Sequence, residues 1–259
     1  MKYSTIVVAD EPPIRTITLN RPERRNAMTP EMQSELIAAM EDASAGDVRV
    51  LVFAGAGDAF CSGLDLSVLH AMKDTGATEY RADAARVARL FRTLYELPIP
   101  TIAAVHGAAI AGGTGLATIC DFTLATPAAK FGFTEARIGF VPALVSAFLA
   151  LQIGDKRSRD LLLTARIFDA TEALRLGLVN EVVAAEELAQ RVQALAASLV
   201  MNSPQALAAT KRLLAAQNKA WLDAAIEAAL EANSQARETA DFGEGVAAFL
   251  GKRKPVWKK

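Results

Sequence analysis

The chain has 259 residues, 52% of them hydrophobic and 22% charged, and its 28 basic and 29 acidic side chains leave a net charge of −1. That composition suits one large globular domain, or a domain with an appendage, and a neutral balance leaves no electrostatic footprint for nucleic acid. Two cysteines (Cys61, Cys120) and two histidines (His70, His106) are too few for a disulfide framework or a usual zinc site, so no metal is expected.

The start, MKYSTIVVADEPP, turns acidic within ten residues and lacks the apolar core of a signal peptide, so a reducing, cytoplasmic location is expected. IRTITL (14–19) reads as a strand. RPERRNAM follows, then a helix start at Thr29-Pro30-Glu31, with Thr as N-cap and Pro in the first helical position. Leu36, Ile37 and Met40 continue it at helical spacing. VRVLVFAG (48–55) is a buried strand closed by Gly-Ala-Gly, and a polar helix is expected around 79–96. TIAAVHG (101–107) and FTLAT (122–126) read as further buried strands. Strands alternating with helices imply an α/β fold with parallel crossover pairing. The pattern divides the chain into a region 1–185 and a helical region 186–259. In the latter, EELAQRVQALAASLV is helical and Ser203-Pro204 caps an Ala-rich helix running to about 237. Such a tail suits packing or oligomerisation, and no repeat or low-complexity segment is present.

The run TIAAVHGAAIAGGTGLATIC (101–120) carries no formal charge and has glycines at 107, 112, 113 and 115. Its length would allow a membrane span, which needs about 20 apolar residues. The threonines, the histidine and the glycine cluster argue against one. A strand ending in glycines before a helix leaves backbone N–H groups open to negative charge, so AGGTG suits a developing oxyanion. Close packing of a buried helix on a sheet accounts for the glycines equally well. DAFCSGLDL (58–66) has the same look, with Gly63 in a turn after the strand VRVLVFAG. Two such loops converge at the carboxyl edge of a sheet, where α/β proteins bind ligands. One N–H from each makes an oxyanion hole.

With LNRPERRNAM (19–28), DAFCSGLDL (58–66), VHGAAIAGGTGLATICD (105–121), FGFTEARIGFVP (131–142), TARIFDATEALRLGLVNEVV (164–183) and FLGKRKPVW (249–257) in this order, the chain resembles the enoyl-CoA hydratase/isomerase, or crotonase, family over nearly its whole length. The resemblance implies a spiral of β-β-α turns. It also implies a helical C-terminal region that covers the active site and builds homotrimers, often paired into hexamers. The substrate would be an acyl-CoA thioester, with no cofactor beyond the coenzyme A it carries. The backbone N–H groups of Leu64 and Gly112 would hold the thioester carbonyl and its enolate. The coenzyme A arm would run along Arg24, Arg25 and Ala27, with Ser62 and Asp65 near the adenine and pantetheine path and Lys252 at the phosphates. Arg24 and Arg25 equally suit solvated surface charges, and the basic tail a solubilising one. His106 and Asp121 are expected to be structural and Cys120 a packed thiol.

By the same resemblance, hydratases place two glutamates around one water. The first follows the oxyanion glycine by three residues and here is Gly115, whereas FGFTE supplies the second, Glu135. Burial would raise the pKa of Glu135 toward the range where it both takes and gives a proton. A carboxylate paired with Arg137 is the plainer reading of that residue. The lead expectation is an enoyl-CoA hydratase, with a Δ3–Δ2 enoyl-CoA isomerase as the alternative and a catalytically weak acyl-CoA-binding homologue as the third. Residues 139–170 are similar to bacterial methylglutaconyl-CoA hydratases, which often lack the first glutamate and imply a role in branched-chain degradation. Their substrate carries its own carboxylate, for which Ser146 is a candidate by position only. Pocket depth is expected to depend on residues 70–80 and on the helices after Pro142.

Overall fold

In the computed structural model, which describes residues 3–257, the chain winds through two sheets in a repeated path. Residues 1, 2, 258 and 259, at the outer ends of the two expected regions, lie outside the described residues. The hairpin β1 (Ile6–Glu11) and β2 (Ile14–Leu19) opens the fold, and α1 (Pro30–Ala45) follows. The Thr29 side chain accepts a hydrogen bond from the Met32 N–H, as the Thr-Pro start predicts.

Three turns of a spiral come next. The first is β3 (Val50–Gly55), β4 (Ala59–Cys61), α2 (Leu66–Ala71) and α3 (Ala77–Glu96). The second is β5 (Thr101–Val105), β6 (Ala108–Ile110) and α4 (Gly112–Ile119). The third is β7 (Phe122–Ala125), β8 (Lys130–Gly132) and α5 (Ala143–Thr164). The first strand of each turn joins a six-stranded sheet, ordered β1-β2-β3-β5-β7-β10, where β10 is Glu181–Val182. The second joins a four-stranded sheet, ordered β4-β6-β8-β9, where β9 is Ile167–Asp169. The chain ends with β9 (Ile167–Asp169), α6 (Ala170–Leu176), β10 (Glu181–Val182), α7 (Leu188–Val200), α8 (Pro204–Arg237) and α9 (Ala240–Leu250). The α/β class and the β-β-α spiral are as expected.

Strand β3 shows why its sequence is apolar throughout. Leu51 and Phe53 enter the main core, while Val50 and Val52 face Val192 and Ala196 of α7 on the opposite side. A strand covered on both faces loses the alternation of a half-exposed one. Other elements depart from expectation. The strand read over 101–107 stops at Val105, and residues 112–115 form the first turn of α4 rather than a loop. Strands β4, β6, β8 and β9 have three residues each, too few for a period-two pattern to register.

Candidate active site

Two loops meet where the smaller sheet hands the chain to helices. Between β4 and α2, Gly63 has φ +91°, a conformation that favours glycine. The preceding turn straps this loop down. Met28 donates its N–H to Gly63 O at 2.7 Å and accepts from the Asp65 N–H at 3.0 Å. Because that bridge uses the two neighbours of Leu64, the Leu64 N–H points out of the ladder. Asn26, fully buried with φ +55°, secures the turn by donating to Ala56 O at 2.9 Å and Ala59 O at 2.8 Å.

Between β6 and α4, Ala111 takes φ +54° and ψ −125°, a strained backbone for a residue with a Cβ. Gly112 follows as the first residue of α4, so its N–H has no acceptor within the helix. The loops touch: a Cβ on Gly63 would lie 3.0 Å from Ile110 O and 3.4 Å from Gly112 N. Gly113 serves packing instead, since a Cβ there would sit 2.1 Å from Cys61 O.

Glu135 opens a 3-10 turn, Glu135–Ile138, just after β8. It is 9% exposed, and its Oε2 is buried with no partner among the described residues. Burial pushes its carboxyl up to about 7, against a smaller opposing effect of its own backbone N–H. Arg137 is exposed and forms no ion pair with it. Leu64, Gly112 and Glu135 line one cavity of about 400 Å³, whose apolar wall includes Val87, Phe91 and Val145.

Arg25 and Ser62 line the same cavity. The other expected contacts do not. Arg24 and Lys252 are exposed and off its wall. Ala27 is buried, and its carbonyl accepts from Arg21 Nη1 at 2.6 Å. Asp65 serves the loop itself: its Oδ1 caps α2 by accepting from the Ser67 N–H at 3.1 Å, and its Oδ2 pairs with Arg21 at 3.0 Å. Burial pushes that carboxyl up, but the Ser67 and Arg21 hydrogen bonds outweigh it and hold it below the usual range. Gly115 is also off the wall, because Val145 and Phe91 stand in front of it. A Cβ there would lie 2.7 Å from Val145 Cγ1 and 3.3 Å from Phe91 Cζ. The Ser146 hydroxyl donates to Ala143 O at 2.6 Å and is off this cavity's wall.

His106 is not on the cavity wall; its Nε2–H donates to Gly57 O at 2.8 Å. Asp121 binds Thr101 and Lys211, and Cys120 is a buried thiol pushed up chiefly by desolvation. Among the described residues no group of three His, Cys, Asp or Glu side chains is placed to hold a metal. No described helix is long and apolar enough to cross a membrane. Residue reading missed Arg21, Asn26 and Asn233. The first two look like surface polarity in RPERRNAM, and Asn233 lies in an Ala-rich helix far from the motifs, yet it lines the cavity.

Comparison with known proteins matches residues 10–259 to the model of one family, enoyl-CoA hydratase/isomerase. A Thermus thermophilus protein, provisionally named an enoyl-CoA hydratase, is 42% identical over 93% of this chain and 96% of its own. The crotonyl-CoA hydratase of Syntrophomonas wolfei is 33% identical over 98% of each chain. The crystal structure of an enoyl-CoA hydratase from Mycobacterium avium subsp. paratuberculosis superposes with a TM-score of 0.88 at 29% identity, covering 100% of both chains.

Proposed function

The chain belongs to the enoyl-CoA hydratase/isomerase family, and on that premise we propose that it adds water to a 2-enoyl-CoA thioester. The observation that carries this reading is Glu135, a buried carboxyl with a free Oε2 in the same cavity as Leu64 and Gly112. In the proposed step, ionised Glu135 takes a proton from water as the water oxygen bonds to C3. The electron pair moves to the thioester oxygen, and the N–H groups of Leu64 and Gly112 hold the resulting enolate. Glu135 then returns the proton to C2 and the carbonyl re-forms. A pKa near 7 suits a group that must both take and give a proton near neutral pH. Arg25 and Ser62 are proposed to meet the coenzyme A arm. The reaction calls for no further cofactor. Trimeric or hexameric assembly and a cytoplasmic location belong to this proposal; two free, buried thiols suit a reducing compartment.

One observation favours a second reading. Val145 and Phe91 close the space in front of Gly115, and among the described residues Glu135 is the one carboxylate on the cavity wall. One base beside an enolate also moves a proton between carbons, which is Δ3–Δ2 isomerisation. A third, weaker reading is an acyl-CoA-binding homologue without turnover. Separate incubations with crotonyl-CoA and a 3-enoyl-CoA, followed by mass and conjugated-enoyl absorbance, distinguish them. Hydration adds one water to crotonyl-CoA and removes its absorbance. Absorbance rising from the 3-enoyl substrate at unchanged mass, with crotonyl-CoA untouched, makes the protein an isomerase. Glu135→Gln is expected to lower kcat by roughly 10²–10⁴-fold while acyl-CoA still binds; undiminished turnover in that variant overturns the assignment.

A further inference from the structure

The cavity around Glu135 has mostly apolar walls, yet one buried amide lines it. Asn233, one turn before the end of α8, is 3% exposed. Its Oδ1 accepts from Arg237 Nε at 3.1 Å. A guanidinium has donors and no acceptor, so the amide atom that faces it is the oxygen, and the orientation of the amide is settled. Nδ2 therefore points the other way. It donates to no described group, and unlike the neighbouring Arg237 Nη1 it is not sealed from solvent.

The amide is held from behind. Arg237 Nη2 donates to Asp83 Oδ2 at 2.7 Å, from α8 to α3, and the two side chains are 1% and 4% exposed. The rings of Tyr80 and Phe140 pack on the guanidinium, with centroids 5.7 and 5.8 Å from its carbon. Asp83, Arg237 and Asn233 thus form a chain of hydrogen bonds that ends at Nδ2, on the cavity wall. An asparagine that only tied Arg237 down would be complete at Oδ1. A donor left over in a buried place is costly until an acceptor meets it.

The surroundings decide what that acceptor is. Leu69, Val87 and Phe140 line the same cavity, and Val87 stands one turn beyond Asp83 on α3. Arg237 instead lines a second cavity, beyond the packed cluster of Leu69, Phe140, Phe242 and Val246, and its charge is met by Asp83. Arg25 and Arg137, the cations on the catalytic cavity's wall, are exposed to solvent. A carboxylate beside Asn233 would therefore meet a neutral donor among apolar side chains, where an unpaired charge is costly. An uncharged oxygen gains the same hydrogen bond at a far smaller desolvation cost.

We propose that Asn233 is a specificity-determining residue, whose Nδ2 donates to an uncharged oxygen, that of a keto, ether or hydroxyl group, carried by the acyl chain beyond the enoyl carbons. Arg237 and Asp83 are positioning residues that keep the donor, rather than the amide oxygen, turned to the chain. A purely hydrocarbon chain leaves Nδ2 without an acceptor and binds less well. This rests on the reading of the cavity as an acyl-CoA site and does not depend on which reaction follows.

The test is therefore binding. 4-Oxopentanoyl-, 5-oxohexanoyl- and 6-oxoheptanoyl-CoA, which have no double bond to react, are titrated calorimetrically against 4-methylpentanoyl-, 5-methylhexanoyl- and 6-methylheptanoyl-CoA, in which a methyl group replaces the keto oxygen. At least one ketone is expected to bind roughly fivefold to thirtyfold tighter than its methyl counterpart, the range for satisfying a buried donor. Asn233→Asp keeps the oxygen that Arg237 needs and puts an acceptor where the donor was, so the ketone preference is expected to vanish. A merely structural Asn233 would leave that ratio unmoved in Asn233→Asp. Equal binding within every pair of the wild-type protein overturns the proposal, as does a ketone preference that survives in Asn233→Asp. The wild-type comparison stands even if the variant does not fold. Tight but equal binding within the pairs sinks the proposal alone, whereas no binding of any of the six thioesters sinks the acyl-CoA reading and the proposal with it.

Discussion

Glu135 is held where its ionised form is least welcome. Unfolded, a glutamate titrates near about 4.3, and in the fold burial moves this one to about 7. Between those values the native state binds more protons than the unfolded chain, so stability falls as pH rises through that window. The contribution is fully present below the unfolded pKa and lost above about 7, a difference on the order of 3 kcal/mol. Glu135→Gln keeps the shape and removes the charge. It is expected to raise the unfolding midpoint in denaturant at about pH 8.5 and to change it little near about pH 4. No gain on the alkaline side would mean that Glu135 is better solvated than its buried Oε2 implies. On the proposed mechanism the same ionisation sets activity, and kcat/KM is expected to fall roughly tenfold per pH unit below about 7. A flat profile across that range would remove Glu135 as the base. Ala111 shows the complementary cost, a strained φ of +54° that aims the start of α4 at the site.

Helix α4 shows how far the elements were legible. Its glycines announced a close approach, but not which glycine did what: Gly112 opens the helix, Gly113 packs on Cys61, and Gly115 faces Val145. Those partners are brought together by the spiral, at sequence separations that local patterning does not encode. The helices with a cap and a clear period, α1 and α8, were readable almost to their ends, since Thr29-Pro30 and Ser203-Pro204 signal their starts directly. The three-residue strands and Arg237, in a tail read only as packing surface, were not. Gly115 carries a prediction at this scale. Gly115→Glu is expected to cost roughly 1–3 kcal/mol by overpacking against Val145 and to bring no gain in hydration. Combined with Val145→Ala, which removes the nearest obstruction while Phe91 stays, part of the strain is relieved, and the two substitutions should couple favourably by at least about 0.5 kcal/mol. A denaturant-melt double-mutant cycle measures this. Gly115→Glu that is as stable as the wild type and hydrates faster by itself would show that the wall yields.

At the scale of the whole molecule, the unexplained surface belongs to α8. Its inner face touches the body through Lys211, which binds Asp121, and Asn218, which donates to the Tyr95 hydroxyl at 3.0 Å. Its buried residues begin only at Leu222. Flanking that face, Leu214 and Trp221 are 54% and 46% exposed, and Leu213, about 100° further round the helix, is 59% exposed. Leu214 and Trp221 are seven residues apart, so they share one helix face over two turns. Large apolar side chains aligned in this way mark an interface more often than a free surface, and identical chains close such contacts by rotation. Burying each of these side chains is worth roughly 1.5–3 kcal/mol, and in a closed ring every protomer contributes the same face. Light scattering is expected to give a mass three or six times 27.5 kDa. Leu214→Glu with Trp221→Glu places two charges on that face and is expected to shift the mass toward one 27.5 kDa unit with the helical content of the fold retained. A wild-type protein that scatters as a single 27.5 kDa chain at micromolar concentration would show that α8 meets solvent, and the trimeric proposal would fall. A multimer indifferent to the paired substitution would move the interface elsewhere, with the exposed Phe249 and Trp257 of the C-terminal end as the next apolar surface to change.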